Sequence, residues 1–371
     1  MMIPIPKPRK EIKNFQPYIP GRPIEEIKNK FGLKQVYKLA SNENSLGCSK
    51  TVKNLLNNLF TLFHRYPEGS SLILREKIAK KLNVSVNEVI IGAGTDELIE
   101  LLGKTYLSKE DNIVVSDHAF IRYKMAGELM GCKVISVPMK NFTHDLFSMA
   151  KKVNNKTKIV FIANPNNPTG TYNTKDEVVW MLNYLLEKKF YPIVVIDEAY
   201  YEYAKVCDGY PDSLSLLKLY PNLVILRTFS KVYGLAGLRV GFGVSRKEII
   251  SELDRVRPPF NVSVVAQYVA TAALDDEEHV NKSVELVLRE KEFLYKQLDK
   301  LNVKYIKSAT NFVLINVYPK KGYEIFTKLL KKGVIVRAMD EYDLPNYIRV
   351  TIGTRKENLA FIKYFKQVIK N

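Results

Sequence analysis

Residues 228–243 read TFSKVYGLAGLRVGFG. An apolar run, LVIL at 223–226, feeds this segment, and a second, VGFGV at 240–244, leaves it. Lys231 therefore sits just past the end of one buried strand, in a tight turn of small and polar residues. A lysine so placed is a candidate for forming a Schiff base with a carbonyl. Thr228 and Ser230 precede it and Arg239 follows eight residues on. Hydroxyls and a guanidinium hold a phosphate through charge-assisted hydrogen bonds. An isolated Ser-Lys pair also describes a surface lysine in a glycine-rich loop, and the chain has 57 Lys and Arg. The rest of the sequence has to decide between the two.

Working outward, short apolar runs alternate with helical patterns. The runs are 113–115, 134–137, 159–163, 193–196, 223–226 and 240–244, with 90–91 ending a further strand. Most are apolar throughout, as strands buried on both faces are. A Thr174-x-x-Glu177 capping box opens a helix over 174–189. This is α/β patterning around a mostly parallel central sheet. On its N-terminal side lie helical patterns at 51–63 and 71–82, with RYPEGS between them, and the turn-rich KLASNENSLG at 38–47. Residues 1–40 read as a Pro-rich arm with one short helix at 23–31. Past RPPFNVS (257–263) the texture changes. Amphipathic helix begins near 263 and resumes after an acidic turn at 275–278. Strands at 311–317, 334–337 and 347–352 then alternate with helices at 323–332 and the C-terminus. We expect a large domain over 45–262, and a smaller α+β unit formed by 263–371 with the arm, 1–44.

Composition limits the function classes. The chain has 371 residues, 46% hydrophobic and 26% charged, as for a globular protein of about two domains. No apolar run approaches the ~20 residues of a membrane span, and the basic N-terminus lacks the apolar segment of a secretory signal. The three cysteines include no CxxC, and the four histidines, His64, His118, His144 and His279, have no metal-ligand spacing. A cytoplasmic setting without metal is expected. The net charge of +18 raises the question of nucleic acid. The lysines are scattered over helical faces, however, and no nucleic-acid motif accompanies them. A positive field also helps an anionic substrate arrive.

Four motifs fall just after apolar runs, where parallel sheets bind their ligands. Lys231 with Ser230, Thr228 and Arg239 is one. NPNNPTG at 164–170 is the second; its two X-Pro steps make a rigid turn that aims Asn167. The third is DEAY at 197–200. A carboxylate at a buried strand end, Asp197, needs a partner, either as a helix cap or against a protonated ring nitrogen. The fourth is GAGTD at 92–96, where Thr95 reads as an N-cap and the backbone of Gly94, Thr95 and Asp96 offers N–H groups to a phosphate. Asp96 and Glu97 would oppose that anion unless they turn away. Together the four ask for a ligand with a phosphate, a basic ring nitrogen, a ring oxygen and an aldehyde carbon, which pyridoxal phosphate supplies.

The ordered set PYIPGRP, KLASNENSLG, RYPEG, GAGTDELIELL, FIANPNNPTG, VVIDEAYYEY, RTFSKVYGLAGLRVGFG, RPPFNVS, TNFVLINV, GVIVR and YIRVTIGTRKEN resembles the fold-type I pyridoxal-phosphate aminotransferases, and within them the histidinol-phosphate aminotransferase family. The resemblance runs nearly end to end. It implies that Lys231 carries the cofactor and moves the substrate proton. It implies that Asp197 pairs with the pyridine nitrogen, that Tyr200 and Asn167 bond the ring oxygen, and that Phe120 in HAFIRY stacks on the ring, with Tyr123 its companion. Arg239, Ser230 and Thr228 would hold the phosphate with the backbone at Gly94, Thr95 and Asp96. Tyr66 would reach the phosphate in a neighbouring subunit, making a homodimer with shared sites. Arg349 would grip a carboxylate, with Arg337 and Tyr18 as added anion contacts and Asn44 also at the substrate. Arg337 reads equally as a rim salt bridge, and Tyr18 as a packed arm residue. The implied reaction is the reversible transfer of an amino group between L-histidinol phosphate and 2-oxoglutarate, with glutamate as the donor in histidine synthesis. An aromatic aminotransferase or a threonine-phosphate decarboxylase would look similar.

Overall fold

The central runs are rich in Val and Ile, side chains that pack well on a pleated surface, and they form one seven-stranded sheet. The computed structural model describes residues 6–13, 15, 17 and 21–370. After a two-residue strand in the arm, β1 (Tyr37–Lys38), come β2 (Val89–Gly92), β3 (Asn112–Ser116), β4 (Lys133–Val137), β5 (Thr157–Ala163), β6 (Ile193–Asp197), β7 (Leu223–Thr228) and β8 (Gly241–Ser245). The order across the large sheet is β2-β8-β7-β6-β5-β3-β4. Strand β8 runs antiparallel to both neighbours and every other pairing is parallel. The fold is therefore α/β with a mostly parallel sheet, as the patterning predicts.

Alternate residues along each central strand serve opposite faces, and both faces are covered. Val194 and Ile196 of β6 join the larger apolar core, while Ile193 and Val195 join a second core with Phe161 and Tyr123. That alternation puts Asp197 on the face of Tyr123. It also explains why the runs read as continuously apolar.

The C-terminal part adds β9 (Tyr305–Ile306), β10 (Phe312–Asn316), β11 (Val334–Ile335), β12 (Arg337–Ala338) and β13 (Tyr347–Thr351). Four of these form an antiparallel sheet in the order β12-β13-β10-β9, and β11 instead pairs with β1. The expected strand at 334–337 is thus two strands, which leave Val336 as the step between sheets. The amphipathic helical region also divides, into Val264–Ala273 and Glu277–Lys300. The first packs on helices Lys50–Leu59 and Leu72–Leu82 of the large unit through Ala266, Val269, Ala270 and Ala273. The capping box at Thr174 forms as expected, each partner bonding the other's backbone N–H. None of the described helices is long and apolar enough to cross a membrane.

Candidate active site

The strand ends position the chemistry. A cavity of about 240 Å³ opens where β5, β6 and β7 finish, walled on one side by the small sheet. Lys231, Asp197, Tyr200, Asn167, Phe120, Thr95, Asp96, Thr228, Ser230, Arg239, Arg337 and Arg349 all line it. Sequence positions over 250 residues apart converge there because four separate chain segments end at one edge.

Lys231 Nζ donates to the carbonyl of Ser41 at 3.3 Å and stands 5.5 Å from the Tyr200 ring centre. Desolvation by the surrounding walls, reinforced by Arg349, pulls its pKa down to about 8. Asp197 is only 5% exposed. One of its oxygens accepts from Tyr123 Oη at 2.8 Å and the other from the Ala199 N–H at 3.1 Å. Burial raises its pKa to about 6, because two hydrogen bonds do not replace water around a carboxylate. The side chain is thus a hydrogen-bonded acid, with the Ala199 bond of a capping aspartate, and among the described residues it forms no ion pair. Tyr200 Oη accepts from Asn42 Nδ2 at 2.8 Å, and burial pushes its pKa up to about 12. Tyr123 stacks on Phe161 with ring centres 4.7 Å apart and meets Phe120 edge-on.

One end of the cavity forms at the start of helix Thr95–Tyr106. Here Gly94, not Thr95, is the capping residue, at φ +82°, and Thr95 is already helical. The chain needs a left-handed residue to turn from β2 into the helix, and that requirement displaces the cap by one position. Glu97 turns away, its Oε2 accepting the Ala93 N–H at 2.7 Å. Asp96 remains at the cavity but faces Arg239 at 3.5 Å and Arg122 at 3.7 Å. Arg239 Nη1 also donates to Ser230 Oγ at 3.3 Å. Thr228 Oγ1 accepts the Ser230 N–H at 3.1 Å, which stiffens the turn ahead of Lys231.

From the other side come the small-sheet arginines. Arg349 is buried. It donates to the carbonyl of Ala40 at 2.9 Å and to Asn167 Oδ1, while its Nε–H is buried with no protein acceptor. Arg337 donates through Nε and Nη2 to Glu341 Oε1 at 3.0 and 2.6 Å.

Two expected residues lie elsewhere, and a third is not among the described residues. Tyr18 falls outside the described residues. Tyr66 is 82% exposed and stacks on Phe260, not in the cavity. Asn44 does not line the cavity either: its amide reaches Val232 O at 2.7 Å and Ser283 Oγ at 2.8 Å, bracing the residue after Lys231. Two positions earlier, Asn42 makes the contact to Tyr200. With φ +55° it occupies the left-handed region that Asn tolerates, a turn preference that gives no hint of its partner. Ser41 and Glu43, from the turn KLASNENSLG, and Glu341 and Tyr342, from the turn after Arg337, also line the cavity without having been singled out by the sequence.

These residues fit pyridoxal phosphate. A buried acid unmatched by a cation suits a protonated ring nitrogen. At the other end the Arg239 guanidinium lies against Gly94, where an added Cβ would come 2.6 Å from its Nη2, so a glycine there lets the cation sit at the start of the helix, where a phosphate would need it. The model of the family "Aminotransferase class I and II" matches residues 34–365. The chain belongs to that family.

Among curated relatives, this aminotransferase is 45% identical to the histidinol-phosphate aminotransferase of Caldicellulosiruptor saccharolyticus, over 97% of this chain and 99% of the relative. It is 44% identical to that of Moorella thermoacetica, over 98% and 94%. Its fold matches the crystal structure of the Sinorhizobium meliloti histidinol-phosphate aminotransferase in complex with pyridoxal-5′-phosphate. The TM-score is 0.89 at 24% identity, covering 99% of this chain and 98% of that one.

Proposed function

We propose that this aminotransferase moves an amino group between L-histidinol phosphate and 2-oxoglutarate, with pyridoxal phosphate as its cofactor. The observation that carries the reading is a cavity with two separate cationic ends. Arg239 at the start of helix Thr95–Tyr106 serves one, and Arg337 with Arg349 on the small sheet serves the other. A phosphorylated cofactor and an anionic substrate would occupy one end each. The curated relatives bear the name of this reaction over nearly their whole length.

In this reading Arg239, Ser230, Thr228 and the backbone from Gly94 to Asp96 hold the cofactor phosphate. Asp197 holds the ring nitrogen and keeps its proton, Tyr200 and Asn167 bond the ring oxygen, and Phe120 covers the ring face. Pyridoxal phosphate, when bound, supplies the electron sink for the charge left when the substrate's Cα loses a proton. Lys231 Nζ takes that proton. A buried amine with a pKa near 8 is neutral in an appreciable fraction at physiological pH and can accept it. Tyr123 fixes Asp197, and Asn42 fixes the Tyr200 hydroxyl. Arg349 takes the carboxylate of glutamate, and Arg337 helps take the phosphate of histidinol phosphate, so one site serves both half-reactions. The enzyme works as a cytoplasmic homodimer in which Tyr66 reaches the neighbouring subunit's site. Free Cys48, Cys132 and Cys207 accord with a reducing setting.

The test is the visible spectrum of the cofactor-loaded protein without keto acid, before and after L-histidinol phosphate, L-phenylalanine or L-glutamate. Loss of the visible band fastest and at lowest concentration with histidinol phosphate supports the proposal. Loss with phenylalanine alone makes the protein an aromatic aminotransferase.

A further inference from the structure

The register of the small sheet sets Arg337 directly opposite Arg349. Like charges in facing positions repel, and such a pair needs a counter-charge. Arg349 bonds to the neutral oxygens of Ala40 and Asn167. Arg337 instead bonds to a carboxylate, with Glu341 Oε1 receiving two of its N–H groups at 3.0 and 2.6 Å. Glu341 lies in the turn Asp340–Tyr342, four residues after Arg337, and lines the same cavity. The wall of the site thus carries its own anion on the very cation that the proposed substrate would use. Resting on that substrate reading, we infer that Glu341 is a displaceable internal anion that competes with the substrate's phosphate or distal carboxylate for Arg337. It thereby sets how strongly the site prefers anionic over neutral substrates.

The energetics allow displacement. The two side chains keep 13% and 19% of their exposure, so the pair is neither sealed from water nor fully solvated. Ion pairs of this intermediate kind are weak enough for an incoming anion to replace. A phosphate dianion regains charge-assisted bonds at Arg337 when Glu341 swings out. A neutral side chain regains nothing and leaves the pair closed. The same competition returns Arg337 to Glu341 when product leaves, which shortens residence at a site that must bind and release two different anions in each cycle.

The cofactor-loaded enzyme in its pyridoxamine form cannot react with amino compounds, so binding is measurable directly. Calorimetric titration with L-histidinol phosphate, L-histidinol and glutarate compares a phosphate, its phosphate-free counterpart and a dicarboxylate. Glu341→Gln is expected to tighten histidinol phosphate and glutarate about threefold to tenfold and to leave histidinol unchanged. Unchanged or weaker binding of both anions would overturn the inference, since Glu341 would then merely prop Arg337. Equal tightening of histidinol would overturn it as well. If the parent enzyme binds histidinol as tightly as histidinol phosphate, the substrate reading fails instead, and the glutarate titration alone decides the role of Glu341. Should the Gln variant not fold, Glu341→Asp withdraws the charge by one methylene and is expected to tighten the same two ligands by a smaller factor.

Discussion

Asp197 shows how a single residue trades stability against function. Its pKa rises from 3.8 to about 6 on folding, through burial. The native state therefore holds this proton more tightly than the unfolded chain does. The resulting stabilisation is complete below about pH 4 and is lost as pH rises through about 6. At neutral pH the cofactor-free protein carries the carboxylate at a cost of about 1–3 kcal/mol. Asp197→Asn should therefore stabilise the cofactor-free chain by about that much at pH 7, with the gain shrinking toward pH 4. Cofactor affinity should fall at the same time. Denaturant unfolding at several pH values checks the first effect and cofactor titration the second; a variant no more stable at pH 7 would show that Asp197 is already neutral there. Lys231→Ala should lower turnover at least about a thousandfold with substrate binding retained, and normal activity in a clean variant would overturn its assignment. Both side chains were legible in the sequence because they follow continuous apolar runs. Asn42 and Glu341 were not: each acts on a residue brought to it by folding, Tyr200 from 158 positions away and Arg337 from across a turn. Nothing in the composition of the turn at 38–47 separates Asn42, which bonds Tyr200, from Asn44, which braces Val232.

At the scale of elements, the start of helix Thr95–Tyr106 links backbone geometry to the proposed phosphate site. Gly94 has φ +82°, and a Cβ there would meet the Arg239 guanidinium at 2.6 Å. Gly94→Ala should cost about 1–3 kcal/mol, because its positive φ with extended ψ is a conformation open essentially to glycine alone. It should also push Arg239 off the phosphate site and weaken cofactor binding at least tenfold, or about 1.4 kcal/mol. Thr174→Ala offers the matched control. It removes the capping box of helix Lys175–Glu187, costing about 1 kcal/mol, and should leave cofactor affinity unchanged. Thermal melts and cofactor titration of the two variants separate local stability from site geometry; equal affinities would remove Gly94 from the phosphate site. The strands of the large sheet could be read from their apolar runs, since burial on both faces leaves a continuous signal. The division of 334–337 between two sheets could not, because β1, the partner of Val334 and Ile335, lies in the arm nearly 300 residues earlier.

For the whole molecule, the question is what completes the site. Tyr66 stacks on Phe260 in a region where Phe60, Phe63 and Ile73 are also more than half exposed. Two exposed ring pairs, Tyr66–Phe260 and Phe60–Phe63, offer apolar surface that a second copy could cover. In the proposed homodimer that face is covered by the second copy, and Tyr66 completes the partner's cavity. A two-fold axis makes the exchange reciprocal, so each site takes Lys231 from one chain and Tyr66 from the other. Complementation tests this. Lys231→Ala and Tyr66→Ala should each be poorly active as homodimers. After unfolding and refolding an equimolar mixture, half the dimers should be mixed, and each mixed dimer has one site with native Lys231 and native Tyr66. Activity should recover to about a quarter of the parent enzyme's, the share expected from random pairing. If Tyr66 acts within its own chain, every site in the mixture lacks one group or the other and no activity returns. A protein that stays monomeric at assay concentration, by light scattering or sedimentation, would remove the shared site altogether.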